Sequence, residues 1–251
     1  MYSEYAKDLK ALVSAEHLTF KSTPSYQEIL EHVSLHDGRA YLDLCRNELL
    51  MSHDDIVAFA RLNDALGAPV LYDVRGITCS PTSLRYVYHA HLVLKHIRDT
   101  MPVAQHDCLS LIEVGGGYGG LCLALHYYAA KFGIRFKEYH IVDLAEAGAL
   151  QERYLRSDAF ADCLRGADIR FHDALSSGST VPCESAFLVS NYAFSEFSEK
   201  VRAGYMDALF GKVAHGFMAW NFIPVFDFGK PLIKVEHERP LTCHANRFVY
   251  F

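Results

Sequence analysis

One junction limits what this chain of 251 residues can become. In SLIEVGGGYGGLCLAL, running from Ser110 to Leu125, an apolar run breaks into a glycine cluster and resumes at once as a second apolar run. Glycines between a buried strand and a buried helix let the backbone turn sharply and let another group come close. The helix that follows offers its first N–H groups to whatever lies on the turn, which favours a polar or anionic group there. The junction therefore predicts a strand, a tight turn and a helix, with a ligand seated on the turn.

The sequence beyond it keeps the same grammar. LCLALHYYAAKF reads as a helix closed by Gly133, and YHIVDL (Tyr139 to Leu144) as the second strand. AEAGALQERYLRSD is helical; ADIRFHDA and AFLVSNYAF are the third and fourth strands. EKVRAGYMDALFGKVAHG is a helix, FMAWNF a fifth strand, and RPLTCHANRFVYF closes on one more. Such β-α alternation specifies a parallel sheet covered by helices on both faces, the doubly wound α/β class. The first hundred residues read as helical. Ser25-x-x-Glu28 has the form of a capping box opening YQEILEHV, just behind Thr23-Pro24. Ser52 opens IVAFARLNDAL, with Ile56, Phe59, Ala60 and Asn63 on one side and Gly67 and Pro69 ending it. A third helix starts at Ser80-Pro81, with Leu84, Val87, Tyr88 and Leu92 at helical spacing. The expected organisation is a helical extension over residues 1–105 ahead of a ligand-binding domain over 106–251.

Composition narrows the partners. A net charge of −6 leaves no basic footprint for nucleic acid. The N-terminus, MYSEYAKDLK, lacks an apolar leader core, and no apolar stretch reaches the ~18 residues of a membrane span. Seven scattered cysteines without a C-x-x-C pair read as reduced thiols of a cytoplasmic protein, not as a disulfide frame or zinc site.

Two nucleotide-like ligands fit the turn. Gly115, Gly117 and Gly120 satisfy the dinucleotide pattern G-x-G-x-x-G. Glu113, Gly115, Gly117 and Gly119 equally satisfy E-x-G-x-G-x-G, the first motif of S-adenosylmethionine (SAM) methyltransferases. In a doubly wound sheet the ligand lies at the carboxyl ends of the strands. Asp143 ends the second strand and could accept both hydroxyls of a ribose, which either ligand carries. Glu113 discriminates better, because a dinucleotide fold keeps that buried position apolar. In methyltransferases an acid there orders the glycine loop and can meet the methionine amino group; a carboxylate on an exposed edge is the plainer alternative. His172, Asp173 and Ala174 end the third strand, beside the place of an adenine.

The runs IEVGGGYGGLC, HIVDL with ALQERYL, VSNYAFSE and ERPLT, with SPTSLRY upstream, resemble the sugar O-methyltransferase family. Its members include free-standing bacterial proteins and methyltransferase domains fused to glycosyltransferases of large algal viruses. The likeness covers Ser80 to Phe251. It implies the class I SAM-dependent methyltransferase fold, a Rossmann-like sheet with a final antiparallel strand and a helical N-terminal extension. It also implies SAM as cofactor, S-adenosylhomocysteine as product, and a sugar hydroxyl of a glycan or nucleotide sugar, such as a deoxyhexose, as acceptor. The expected cofactor contacts are Glu113, Gly115, Gly117, Tyr118, Asp143, Leu144, Asp173, Ala174, Asn191 and Tyr192.

Methyl transfer to a hydroxyl requires the acceptor proton to leave, by a base or a metal. Glu196, in the polar turn after the fourth strand, is the first candidate base, against the plainer role of capping the helix near Glu199. His172 is the second. Arg85, Tyr86 and His244 are the candidate substrate contacts, Arg85 and Tyr86 being able to reach either the cofactor carboxylate or the sugar. Asp173 and Glu196 could approach a magnesium ion, but no metal site is favoured; Asp54-Asp55 and His32 with His36 lie away from the strand ends. A nicotinamide-dependent nucleotide-sugar oxidoreductase or epimerase would want Tyr-x-x-x-Lys after the fourth strand, which is missing. A non-catalytic binding subunit would be expected to lose Glu113, the glycines or Asp143, and all are present.

Overall fold

The computed structural model describes residues 2–174, 181–183 and 185–251. Helices α1 (Tyr2–Ser14), α2 (Pro24–Ile29), α3 (Leu35–Asn47) and α4 (His53–Asp64) lead into a hairpin of β1 (Tyr72–Val74) and β2 (Ile77–Cys79) and the long α5 (Pro81–Thr100). The alternating part follows: β3 (Leu109–Val114), α6 (Gly120–Ala129), β4 (Phe136–Asp143), α7 (Ala145–Leu155), α8 (Ala161–Leu164) and β5 (Ile169–Asp173). It continues with β6 (Ala186–Asn191), α9 (Ala193–Glu196), α10 (Glu199–Leu209), β7 (Val213–Trp220), β8 (Lys234–His237) and β9 (Arg247–Tyr250).

Seven strands form one sheet in the order β5-β4-β3-β6-β7-β9-β8. The first five are parallel, and β9 runs antiparallel to both β7 and β8. The chain moves outward from β3 to β5 and then returns to β6 on the other side of β3. That reversal opens the crevice between β3 and β6 in which doubly wound folds hold their ligands. The doubly wound α/β class and its late antiparallel strand are both present.

Strand alternation divides the core. Leu111, Tyr139, Ile141, Phe187 and Phe217 face α5, α6 and the N-terminal helices; Ile112, Val142, Leu188, Met218 and Trp220 face Tyr205 and Leu209 of α10. The first cluster also takes in Leu9, Phe20, Tyr41 and Phe59, so the N-terminal helices share the core of the sheet. Helix α5 is buried almost all round, which is why it is apolar on more than one stripe. Ser34, Ser52 and Ser80 cap α3, α4 and α5 by accepting N–H groups of Asp37, Asp55 and Thr82. Asn63 and the three apolar positions read from α4 are buried.

Three local expectations need correction. The capping box at Ser25 does not form: Thr23 is the cap, Pro24 the first helical residue, and Ser25 already lies inside the helix. Helix α2 then stops at Ile29, short of YQEILEHV, which sends Leu30 to His32 toward the glycine turn. The β1–β2 hairpin was not expected. Its two-residue turn is Arg75-Gly76, both at positive φ (52° and 86°), with Asp73 accepting the Gly76 N–H at 2.9 Å. Such a turn favours Asn-Gly or Asp-Gly, and Arg hides the signal. Strand β8 is a mostly exposed edge strand, KVEH, with no apolar alternation to reveal it. Among the described residues no helix is long and apolar enough to cross a membrane, and all seven cysteines are free.

Candidate functional site

The turn after β3 needs its glycines. Gly115, Gly117 and Gly119 have φ of +74°, +58° and +98°, where L side chains are strained. A Cβ on Gly115 would stand 2.2 Å from the Cβ of Ala193, and one on Gly117 3.2 Å from Leu30. The turn is thus enclosed by α9 and by the segment after α2. Ser190 locks the crevice, donating to the Val114 carbonyl at 2.8 Å while accepting the Phe194 N–H at 3.1 Å.

Asp143 ends β4 beside the turn. Its Oδ1 accepts the Leu144 N–H at 2.8 Å and its Oδ2 accepts the Gln151 amide at 2.8 Å. Gln151 also donates to the Gly117 carbonyl at 3.0 Å, so it ties the acid to the turn. Burial raises the Asp143 pKa to about 6, against the opposing pull of these N–H donors. Each carboxylate oxygen has a further lone pair for a ligand hydroxyl, and the buried Gln151 Oε1 has no partner. Asp173 is paired in register with Asp143, and Ala174 donates its N–H to the Asp143 carbonyl.

On the other side of the crevice, β6 ends in Asn191, whose Oδ1 is buried and unpartnered. Tyr192 follows at φ +67°, a strained conformation for a bulky side chain and one that tends to mark functional turns. Its hydroxyl donates a short hydrogen bond to Glu238. Glu238, 1% exposed, also accepts from the Thr242 N–H at 3.0 Å and the Asn246 amide at 3.0 Å. Arg85 of α5 stands over the Tyr192 ring at 5.9 Å, and His89, one turn along, lies 6.3 Å from the same ring. Burial, helped by the Arg85 charge, drives His89 down to about 3 and His32 to about 4, so both are neutral near pH 7.

The expected site residues fall into distinct places. Gly115, Gly117, Asp143, Leu144, Asp173, Ala174, Asn191 and Tyr192 line the carboxyl edge of the sheet on both sides of the crevice. Arg85 and Tyr86 come to it from α5, the Tyr86 ring 2.6 Å from where a Gly120 Cβ would stand. The Tyr118 side chain turns toward the N-terminal helices. Its side chain is fully buried among Phe20, Tyr86 and Tyr154, beneath the Lys21 ammonium at 4.5 Å, and Asn63 donates to its hydroxyl. Glu113 is not on an exposed edge: it is 1% exposed and accepts the Tyr139 hydroxyl at 2.7 Å. Burial pushes its pKa up to about 8.

Glu196 ends α9, three residues after the Ala193 that touches Gly115, and Asn221 donates to its carboxylate. It is exposed, and the N-cap position of α10 is Ser198. His172 belongs elsewhere. It sits on β5, three strand spacings or about 14 Å from β6, with its Nε2 2.9 Å from His140 Nδ1. It cannot share one acceptor proton with Glu196. His244 lies exposed on the β8–β9 loop that also carries Glu238. Glu238 was missed, although it opens the ERPLT run; a lone loop glutamate gives no spacing signal, and only the pairing of β8 with β9 brings it to Tyr192. Among the described residues no group of three or more His, Cys, Asp or Glu could hold a metal ion.

The chain matches no family model and no curated protein sequence. Solved structures do resemble it. A SAM-dependent methyltransferase from Aquifex aeolicus is 14% identical, with a TM-score of 0.44 over 66% of this chain and 89% of that one. CalS10, an amino pentose methyltransferase from Micromonospora echinaspora with SAM bound, is 16% identical, with a TM-score of 0.39 over 61% and 57%. The glycopeptide N-methyltransferase MtfA, in complex with sinefungin, is 14% identical, with a TM-score of 0.38 over 53% of this chain. The chain spans about half of MtfA's length, 49%. These are likenesses of fold; the strand order above carries the α/β class by itself.

Proposed function

We propose that the chain is a SAM-dependent methyltransferase acting on a hydroxyl, with a sugar as the acceptor class. The observation that carries the reading is the left-handed glycine turn at the β3–β6 crevice, tied through Gln151 to the carboxylate that ends the neighbouring strand. That arrangement suits a nucleoside with a ribose diol and a short polar arm. The resemblance of the motif runs supplies the choice of SAM and of a sugar oxygen.

SAM, when bound, supplies an electrophilic methyl group on a sulfonium. The chain's own residues have the other tasks. Asp143 accepts the ribose hydroxyls, the turn amides meet the polar arm, and the unpartnered Asn191 Oδ1 offers an acceptor at the end of β6. Glu196, oriented by Asn221 beside the turn, takes the proton of the acceptor hydroxyl as its oxygen forms the new C–O bond. Asn191 and Tyr192 follow β6 at the crevice, with Arg85 over the Tyr192 ring at 5.9 Å.

Calorimetric titration with SAM, S-adenosylhomocysteine and NAD⁺ tests the reading. Binding of the first two and not of NAD⁺ is expected. NAD⁺ binding alone would replace the reading with a nicotinamide-dependent one, and binding of none would leave a fold without this cofactor.

A further inference from the structure

Arg85 is a buried cation without an ion pair. It is 5% exposed; its Nη2 donates to the Leu30 carbonyl at 2.8 Å, its Nη1 is 3.5 Å from the neutral His32, and its Nε has no partner. No carboxylate among the described residues is bonded to it. Glu31 attracts it through space but makes no hydrogen bond to it, its Oε2 accepting from Ser80 at 2.7 Å, and Glu238 is held by Tyr192, Thr242 and Asn246. A buried guanidinium with an unpartnered Nε and no bonded carboxylate has hydrogen-bonding capacity that an anion would complete.

Its position says where that anion comes from. The carbonyl that Arg85 grips belongs to Leu30, whose side chain rests against Gly117 of the turn. Its Cζ lies 5.7 Å from the ring centre of Tyr86, which abuts Gly120, and 5.9 Å from that of Tyr192, which follows β6. Both flanks of the crevice therefore meet at this one cation. The buried polar groups around it face one another, His89 with Asn191 and Tyr41 with Tyr192, and the Arg85 Nε and Glu31 Oε1 are left without a partner.

We propose that Arg85 is the seat of a ligand carboxylate, gripped by the fork of the guanidinium at the β3–β6 crevice. The inference rests on the cofactor reading for its first source, the carboxylate of the methionyl arm; an acidic sugar acceptor is the second. Planar, two-point recognition of this kind is what distinguishes arginine from lysine.

Titrations on wild type, Arg85→Met and Arg85→Lys test it. The probes are S-adenosylhomocysteine and 5′-methylthioadenosine, which keeps the nucleoside and thioether but lacks the amino-acid carboxylate. Wild type is expected to prefer S-adenosylhomocysteine by about tenfold or more, the scale of a charged hydrogen-bonded pair. Arg85→Met should bring the two probes to within a few-fold by weakening S-adenosylhomocysteine alone, with Arg85→Lys between. If the preference persists in Arg85→Met, glucuronate against glucose is titrated into the same proteins with S-adenosylhomocysteine present. Selective loss of glucuronate then places the carboxylate on the acceptor; no change in either pair overturns the proposal. Because the unliganded cation is unpaired, Arg85→Met should melt no lower than wild type. A large fall in both variants would mark a structural role and also overturn it. Failure of the cofactor reading would show separately, as absent nucleoside binding in wild type, and the glucuronate pair would then decide Arg85 alone.

Discussion

The carboxyl edge of the sheet is built in two ways on the two sides of its crevice. On the β3–β4–β5 side, the polar groups come from short, contiguous stretches: the glycine turn, Asp143 with Leu144, and Asp173 with Ala174. Each sits directly at a strand end. On the β6–β7–β9–β8 side they come from separated segments: Leu30 to His32 after α2, Arg85 and His89 on α5, Asn191 to Glu196 after β6, and Glu238 between β8 and β9. On the proposed reading the nucleoside would meet mainly backbone and one carboxylate, so its half can be encoded locally. The acceptor would, on the same reading, meet side chains converging from several elements, and that half depends on tertiary structure.

The sharpest break in that comparison is at Gly117. Gly117→Val puts a branched side chain at φ +58° and drives it toward Leu30, 3.2 Å from the new Cβ. The left-handed region disfavours a β-branched residue by on the order of 1–2 kcal/mol, and the turn must shift to relieve the contact. S-adenosylhomocysteine binding should vanish in calorimetry while the far-ultraviolet circular dichroism of the sheet is retained. Wild-type affinity in a folded variant would remove the nucleoside from this turn.

On the acceptor side the expected loss is in rate, not in nucleoside affinity. Glu196→Gln keeps the shape and the Asn221 contact but cannot take a proton. With a deoxyhexoside acceptor, kcat should fall by at least ~10²-fold, the lower range for a positioned base, while S-adenosylhomocysteine affinity stays within a few-fold. Near-normal turnover would pass the task to another group of that half, Tyr192 with Glu238 being the nearest hydrogen-bonded pair.

The same contrast explains what was legible in the sequence. The doubly wound order, α5, and the placement of Asp143 and the glycines follow from local pattern, because β-α alternation and strand-end position leave few alternatives. Tyr118 shows the limit. It stands within the glycine motif, yet its side chain packs into the N-terminal helices, since Phe20, Tyr154 and Lys21 fold back over it. No spacing rule encodes that return. Glu238 and the Arg85–Leu30 contact join residues far apart in the chain, and β8 and the Arg75-Gly76 hairpin carry weak local signals. His172 was legible as a strand-end histidine, but not its place three strands from β6.

The smallest expected effect concerns two buried ionisable groups, one in the sheet and one among the N-terminal helices, whose signs are opposite. Burial raises Glu113 to about 8, above its unfolded value of 4.5, so the folded state holds the proton more tightly. Its stabilising contribution is complete below the unfolded value and is lost as pH rises through about 8. Burial lowers Lys21 to about 8 from 10.5, with Glu31 and Asp64 opposing the shift. Here the unfolded state holds the proton more tightly, so stability is regained as pH rises from about 8 toward 10.5. Between pH 6.5 and 8 the buried histidines oppose Glu113, because their folded values are lowered from 6.5 and their unfolded forms are still losing protons, so only the difference between wild type and Glu113→Gln isolates the carboxyl. Relative to Glu113→Gln, wild type should lose up to about 1.4 kcal/mol per pH unit across that window, or a few degrees of melting temperature for a chain this size. Glu113→Gln should remove that loss and leave the rise above pH 8 intact. Lys21→Met should do the reverse and raise the melting temperature at pH 7, by removing a buried charge that no carboxylate contacts directly. Melting curves in which Glu113→Gln keeps the wild-type slope between pH 6.5 and 8 would mean that its carboxyl is already ionised in the fold. Its hydrogen bond with Tyr139 would then be charge-assisted, and the acid of the glycine motif would act on the turn as an anion.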